Sequence, residues 1–204
     1  VLLLCSAAWA VPTLDQHQEA TTGGISVQNG VSVGQTFTAG LSGQLLWIEL
    51  GISGMDGPPT YPSTVEIRTT ASGLPTGTIL GSVFLPAGFD FGWYPVDFSS
   101  QNITLTAGTM YSIVVWNDEA PLPGIPSTDF IQTDWDSASY PDGQFVVNTG
   151  SGWQVFTEWP GPGDAQFRTW LDVNGVNVVP APGAMLLAGL GSALVTWLRK
   201  RKTP

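Results

Sequence analysis

From Thr13 to Val178 no stretch of twelve residues carries the spacing of an amphipathic helix. The chain is cut instead into short alternating segments by Gly, Pro, Asn and Asp. That punctuation is the strongest constraint on the fold, because segments of this length bury an apolar face only as strands. Leu46, Ile48, Leu50 and Ile52 are expected on one face of a strand, with Trp47 and Glu49 on the other. Val65 and Ile67 alternate with Glu66 and Arg68 in the same way, and Tyr111, Ile113 and Val115 alternate with Ser112 and Val114. Such runs predict sheets with one buried face. Further strands are predicted at 35–39, 79–84, 94–99, 145–148, 153–156 and 166–171.

Turn chemistry supplies the connections. Leu74-Pro75-Thr76-Gly77 has Pro at the second and Gly at the fourth position, as a type I turn prefers. In Leu105-Thr106-Ala107-Gly108-Thr109, Gly108 is free to turn left-handed just before the strand of Tyr111. Strands at this spacing predict two packed antiparallel sheets, a β-sandwich. Composition agrees. Charged residues make up only 11% of the 204 positions, against 25 Gly and 16 Pro, which argues against a helical bundle. The 43% hydrophobic content, with nine Trp, argues against disorder.

Charge is unevenly placed. All sixteen acids lie between Asp15 and Asp172, where only Arg68 and Arg168 oppose them, a net charge of −14. A body of that sign repels a phosphate backbone, which excludes nucleic acid as a partner. The other four bases are Arg199, Lys200, Arg201 and Lys202.

Both ends read as addresses. Residues 1–10 are apolar and close on Ala8-Trp9-Ala10, the small-x-small form that signal peptidase accepts, so they are expected to be a signal peptide truncated at its start. Cleavage after Ala10 would remove Cys5 and leave neither disulfide nor thiolate metal site. At the other end Val179-Pro180-Ala181-Pro182-Gly183 leads into an apolar run to Leu198 and then the basic cluster. The sixteen residues from Gly183 would span about 24 Å as a helix, against roughly 30 Å of hydrocarbon. A C-terminal hydrophobic helix is therefore expected to enter the membrane, with the cations on its cytoplasmic side and the acidic body outside. The predicted organisation is signal peptide 1–10, β-sandwich domain 11–172, linker 173–178 and sorting segment 179–204.

Motif, short hydrophobic helix containing Gly189 and Gly191, and terminal basic cluster, in that order, resemble the PEP-CTERM sorting signal. The resemblance covers about the last 26 residues, with Ala181 in place of the central Glu. It implies processing near Pro180–Gly183 by an exosortase-type enzyme, and export to the cell surface or extracellular matrix. Within the body, Gln35-Thr36-Phe37-Thr38, Val65-Glu66-Ile67-Arg68, Gly73-Leu74-Pro75-Thr76-Gly77, Leu105–Tyr111 and Phe167-Arg168-Thr169 resemble secreted bacterial β-sandwich modules that look like jelly-roll carbohydrate-binding modules. This second resemblance implies a jelly-roll-like sandwich, and its shared positions are turn and core residues.

The chemistry available is limited. His17 is the only His and is expected in a solvated arm, so His-based catalysis and the usual zinc and copper ligand sets are missing. No Gly-rich phosphate loop runs from a strand into a helix. No catalytic residue is assigned and an enzyme is not expected. Carboxylates such as Glu49, Glu66, Asp97, Asp118, Glu119, Asp134, Asp136 and Glu158 are chiefly a solubilising face. Two of them at the right separation would make a glycan hydrolase, the weakest alternative. A loop carrying Asp134-Trp135-Asp136, with Asp129 before it and Asp142 after, is a candidate Ca²⁺ site.

Aromatic residues offer the remaining handle. Between Trp116 and Trp159 they alternate with Asp, Asn, Gln, Ser and Gly, a composition suited to stacking on pyranose faces while polar groups bond hydroxyls. Phe145 and Phe156 are expected in the core, whereas Trp135 and Tyr140, among turn-forming residues, are expected as exposed rings. Trp135, Tyr140, Asp134 and Asp136 are thus the candidate ligand-binding set, with exopolysaccharide as the expected partner. The leading expectation is an exported, non-enzymatic surface or matrix β-sandwich that binds polysaccharide. A structural matrix or adhesion component without a small ligand is the main alternative.

Overall fold

The computed structural model describes residues 11–27, 30–53, 61–88, 90–117, 130–134, 140–157 and 163–174. The sorting motif Val179–Gly183 and the basic cluster Arg199–Lys202 lie outside the described residues, as do Trp135 and Asp136. Strands in chain order are β1 (Pro12–Gln18), β2 (Gly23–Ser26), β3 (Ser32–Thr38), β4 (Gly43–Ser53), β5 (Ser63–Ala71), β6 (Leu74–Leu85), β7 (Gly92–Asp97), β8 (Thr104–Leu105), β9 (Met110–Trp116), β10 (Phe130–Asp134), β11 (Phe145–Asn148), β12 (Trp153–Val155), β13 (Asp164–Ala165) and β14 (Phe167–Asp172). Among the described residues the only helical piece is a single 3-10 turn, Ser99–Gln101, and no helix is long and apolar enough to cross a membrane.

All pairings are antiparallel and fall into two sheets. The first runs β1-β14-β4-β10-β13, with β7 and β8 also on β4 and β2 on β10. The second runs β12-β11-β3-β9-β5-β6. Their facing sides supply one core. Phe37 of β3 meets Phe167 of β14 at 5.9 Å between ring centres, and Leu45, Ile48, Leu50, Val65, Ile67, Ile113 and Leu171 close around them. Burying each such side chain stabilises the fold by about 1.5–3 kcal/mol.

The predicted alternation holds with one slip. Opposite β14, Trp47 pairs with Trp170 but the next pair is Leu45 with Leu171, so Leu46 is an extra residue bulged from β4. Because side chains alternate with period two, one inserted residue brings Leu45 rather than Leu46 into the core. The expected turn at Leu74–Gly77 is also displaced. The chain reverses at Ser72 and Gly73, which take φ of 52° and 78°, the two left-handed positions of a two-residue hairpin loop between Ala71 and Leu74. Pro75 then sits within β6, an edge strand, where a missing N–H is tolerated. Gly108 adopts φ 77° as expected. His17 is exposed, yet it lies in β1 opposite Arg168 rather than in a free arm.

On the outer side of the second sheet, β5 and β6 fold part of their hairpin back over the strands. Arg68 pairs with Glu66, Thr70 Oγ1 donates to Met110 O, and Gln144 Nε2 donates to Gly73 O. Ser112 and Val114 are therefore buried although they point away from the core.

Candidate functional site

The outward face of the first sheet concentrates aromatic and charged side chains. In β4 the residues out of phase with Ile48 and Leu50 are Trp47, Glu49 and Gly51; in β14 those out of phase with Phe167 and Leu171 are Arg168 and Trp170. Antiparallel register puts Trp47 opposite Trp170, Glu49 opposite Arg168, and Trp93 of β7 opposite Gly51. The two indoles stack at 5.5 Å with 20° between planes. Trp170 Nε1 donates to Glu49 Oε2 at 3.2 Å, and Arg168 Nη1 donates to the same oxygen at 3.2 Å. Arg168 Nε donates to Glu19 Oε1 at 2.8 Å, and the guanidinium carbon lies 3.9 Å from the centre of the Trp93 ring.

Glycine is required at one point of this face. A Cβ on Gly51 would lie 1.9 Å from Gln166 Oε1, so the Gln166 side chain crosses the bare backbone beside Trp93. Gln166 Nε2 in turn donates to Glu19 O at 2.7 Å. Leu14 of β1 and Asp97 of β7 flank the stacked pair. The result is an apolar ridge of half-buried rings set in a fixed polar lattice.

Electrostatics of the face are decided by Arg168. The hydrogen bonds that Arg168 donates to Glu19 and to Glu49 outweigh desolvation and hold its pKa above the ordinary arginine value. The same bond to Arg168 pulls the Glu19 carboxyl below its ordinary range. Two carboxylates meet one cation here, so no positive charge is left over for an acidic ligand. The ridge can offer ring faces to an apolar surface, and carboxylate and amide oxygens to hydroxyls.

The residues singled out from the sequence lie elsewhere. Tyr140 is buried, not exposed: its ring packs edge-on against Phe167 at 5.2 Å and its hydroxyl donates to Gln16 Oε1 at 2.8 Å. Burial raises its pKa. The expectation of an exposed ring is corrected because the neighbouring turn places Tyr140 against the core edge. Asp134 is likewise buried, in β10 rather than in a loop, and accepts from Thr22 Oγ1 at 3.3 Å. It pairs across strands with Asp164, whose Oδ1 accepts from Gln35 Nε2 and whose Oδ2 accepts from the Tyr140 N–H, both at 3.0 Å. Burial raises the Asp164 pKa, opposed by those two bonds and reinforced by Asp134.

These carboxylates do not by themselves make a calcium shell, which needs six to eight oxygens. Among the described residues no group of three or more His, Cys, Asp or Glu is placed to hold a metal. Asp136 and Trp135, the other members of that candidate set, lie outside the described residues. The sequence reading passed over Trp47, Trp93, Trp170, Glu49 and Arg168 as ligand residues, although the phase of Trp47 and Glu49 against Ile48 and Leu50 already marked them as outward. No protein-family model and no curated protein matches the chain.

Proposed function

We propose that this chain is an exported, non-enzymatic surface or matrix protein whose first sheet holds a neutral polysaccharide on its outward face. The observation that carries the reading is the stacked Trp47–Trp170 pair beside Arg168 and Trp93, half exposed on a regular sheet. Indole faces suit the apolar faces of sugar rings, while the ion-paired Arg168 and the net negative body disfavour acidic chains. Strands that follow one another in sequence alternate between the sheets: β3 in the second, β4 in the first, β5 and β6 in the second, β7 and β8 in the first. That alternation supports the finer reading of a jelly-roll-like β-sandwich.

Delivery belongs to the same proposal. Signal peptidase would remove residues 1–10. The Val179-Pro180-Ala181-Pro182-Gly183 motif, the hydrophobic C-terminal helix and Arg199–Lys202 would insert in the membrane until an exosortase-type enzyme processes the chain. A glycan array probed with the exported protein tests the binding. Retention on neutral polysaccharide that falls at least about tenfold in Trp47→Ala and Trp170→Ala is expected; equal retention by both variants would remove the glycan reading. Mass spectrometry of surface protein should find a C-terminus within 180–183, and an intact Arg199–Lys202 tail would overturn the processing step.

A structural role without a small ligand is favoured by a different observation. Ile79 on β6 and Val155 on β12 are exposed on the two edge strands of the second sheet, where another chain can add. Glycan-independent self-association in sedimentation would select that reading. For a hydrolase the described residues offer little, since Asp134 and Asp164 are buried and Glu49 is held by Arg168 and Trp170.

A further inference from the structure

The second sheet ends in two edge strands, β12 and β6, and β6 is the one long enough to recruit another strand. Its N-terminal half is blunted twice. Pro75 carries no N–H, and Leu80 is an extra residue, because Arg68 pairs with Ile79 but Ile67 with Gly81. Beyond that bulge residues 81–85 pair regularly with 63–67 and have neither device. No charged residue stands between Arg68 and Asp90, so the charge that often guards an edge is missing as well. Phe84, on this stretch, is 65% exposed.

One side chain from the other sheet covers this edge. Gln101 closes the 3-10 turn Ser99–Gln101, where its N–H donates to Phe98 O at 2.9 Å, the Ser99 N–H donates to Asp97 Oδ1 at 2.8 Å, and Gln44 Nε2 donates to Ser99 O at 2.9 Å. The turn is thereby held to β4 and β7. From it Gln101 reaches β6: the Ser82 N–H donates to Gln101 Oε1, and Gln101 Nε2 donates to Ser82 O, both at 2.9 Å. Facing residues of an antiparallel ladder exchange such a pair of bonds, so this amide stands in for one residue of a neighbouring strand. Gly81 makes the room, since a Cβ there would collide with Gln101 Oε1 and Ile103 Cδ1. Backbone groups alternate in direction along a strand, so the Phe84 N–H and C=O point outward as those of Ser82 do. Among the described residues nothing bonds them.

We propose that Gln101 is a guard that keeps β6 from pairing with β6 of a second copy of this chain. The inference rests on the structural reading above, in which another chain adds to an edge of the second sheet, and deepens it. A second copy fits the edge by symmetry. About a two-fold axis at Val83, Ser82 lies opposite Phe84 of the other copy and Phe84 opposite its Ser82, so both pairs fall on the outward-pointing backbone groups. Each Ser82 then packs beside a Phe84 ring on the outer face. Two bodies of net charge −14 repel, and residues 69–89 form an uncharged stretch through which they can meet. While the Gln101 amide is bonded, the place of a neighbouring strand is taken, and a strand enters only when both bonds to Ser82 open.

Sedimentation equilibrium combined with amide hydrogen exchange on the exported protein tests it. Gln101→Ala should associate about tenfold more tightly for each edge freed, hence about a hundredfold for the dimer, since pairing no longer waits on the fraction of molecules with two exposed bonds open. The Phe84 amide should exchange fast in the wild type and become protected in Gln101→Ala as protein concentration rises. Gln101→Asn is one methylene too short to meet both Ser82 groups; it should behave alike and serves if Gln101→Ala does not fold. Adding Phe84→Lys to either variant places a charge on the edge and should restore the monomer. Association unchanged from the wild type in both variants, even with a lower melting temperature, would overturn the guard and leave Gln101 as a staple between the sheets. Association that protects Gln154 of β12 while Phe84 still exchanges fast would overturn it too, yet would sustain the structural reading on which it rests.

Discussion

Phe167 and Arg168 are neighbours in β14 with opposite surroundings. Phe167 is fully buried between Phe37 and Tyr140, whereas Arg168 lies on the outer surface between Glu19, Glu49 and Trp93. The same contrast runs along β4, where Ile48 and Leu50 face inward and Trp47 and Glu49 outward. Both faces are rich in aromatic rings, but what holds the rings differs. Inside, exclusion of water dominates, and a polar side chain such as Gln35 is held by its bonds: it donates to Asp164 Oδ1 and accepts from the Ala165 N–H at 2.7 Å. Outside, each ring keeps part of its surface for solvent, and its position is set by a few shared bonds to Glu49 and Arg168. The inner face therefore carries stability and the outer face is free to carry recognition.

Substitutions can break that division. Phe167→Ala should be the most damaging, costing about 3–5 kcal/mol in chemical denaturation, because the cavity opens between both sheets. Gln35→Leu keeps the volume but orphans the Ala165 N–H and one bond to Asp164, and should cost about 1–3 kcal/mol for each group left unmet. Trp170→Ala should cost only about 0.5–1.5 kcal/mol, the worth of an aromatic pair, while removing most glycan retention. A stability loss there as large as that of Phe167→Ala would show that the outer ridge is structural after all.

Smaller effects refine the comparison. Asp164 has a folded-state pKa raised by burial, so its contribution is fully present below the ordinary aspartate range and declines as pH climbs through the raised value. Thermal stability should thus fall from about pH 4 upward through this group. Asp134→Asn, which removes the like charge facing it, should flatten the fall; an unchanged profile would show that Asp164 does not govern it. Asp97, whose carboxyl is lowered by its bonds to Ser99, acts in the other direction and loses its contribution as pH drops. On the outer face Glu19→Gln should leave stability unchanged within error, since the pair is solvent-screened and Glu49 still holds Arg168.

Much of the architecture was legible because it is local. Alternation in 65–68 and 111–115 places strands there, and left-handed Gly108 follows from its turn. Features that depend on a distant partner were not. Leu46 reads as inward until β14 is laid beside it and forces a bulge, and Tyr140 reads as a polar-loop ring until Phe167 and Gln16 are brought to it. The short strands β2, β8 and β13 carry no period long enough to notice.

For the candidate sites the division is the same. Sequence alone determined that the body is an acidic, turn-punctuated β protein and, away from the bulge at Leu46, which residues of a strand share a side, because period two is a property of one extended chain. It even set Trp47 and Glu49 apart from the core. Only the tertiary structure decided that Trp47 lies against Trp170 and that Arg168 spends its charge on Glu19 and Glu49. Those outcomes depend on the register between strands far apart in sequence, which is fixed by the joint packing of two sheets and not by any local preference.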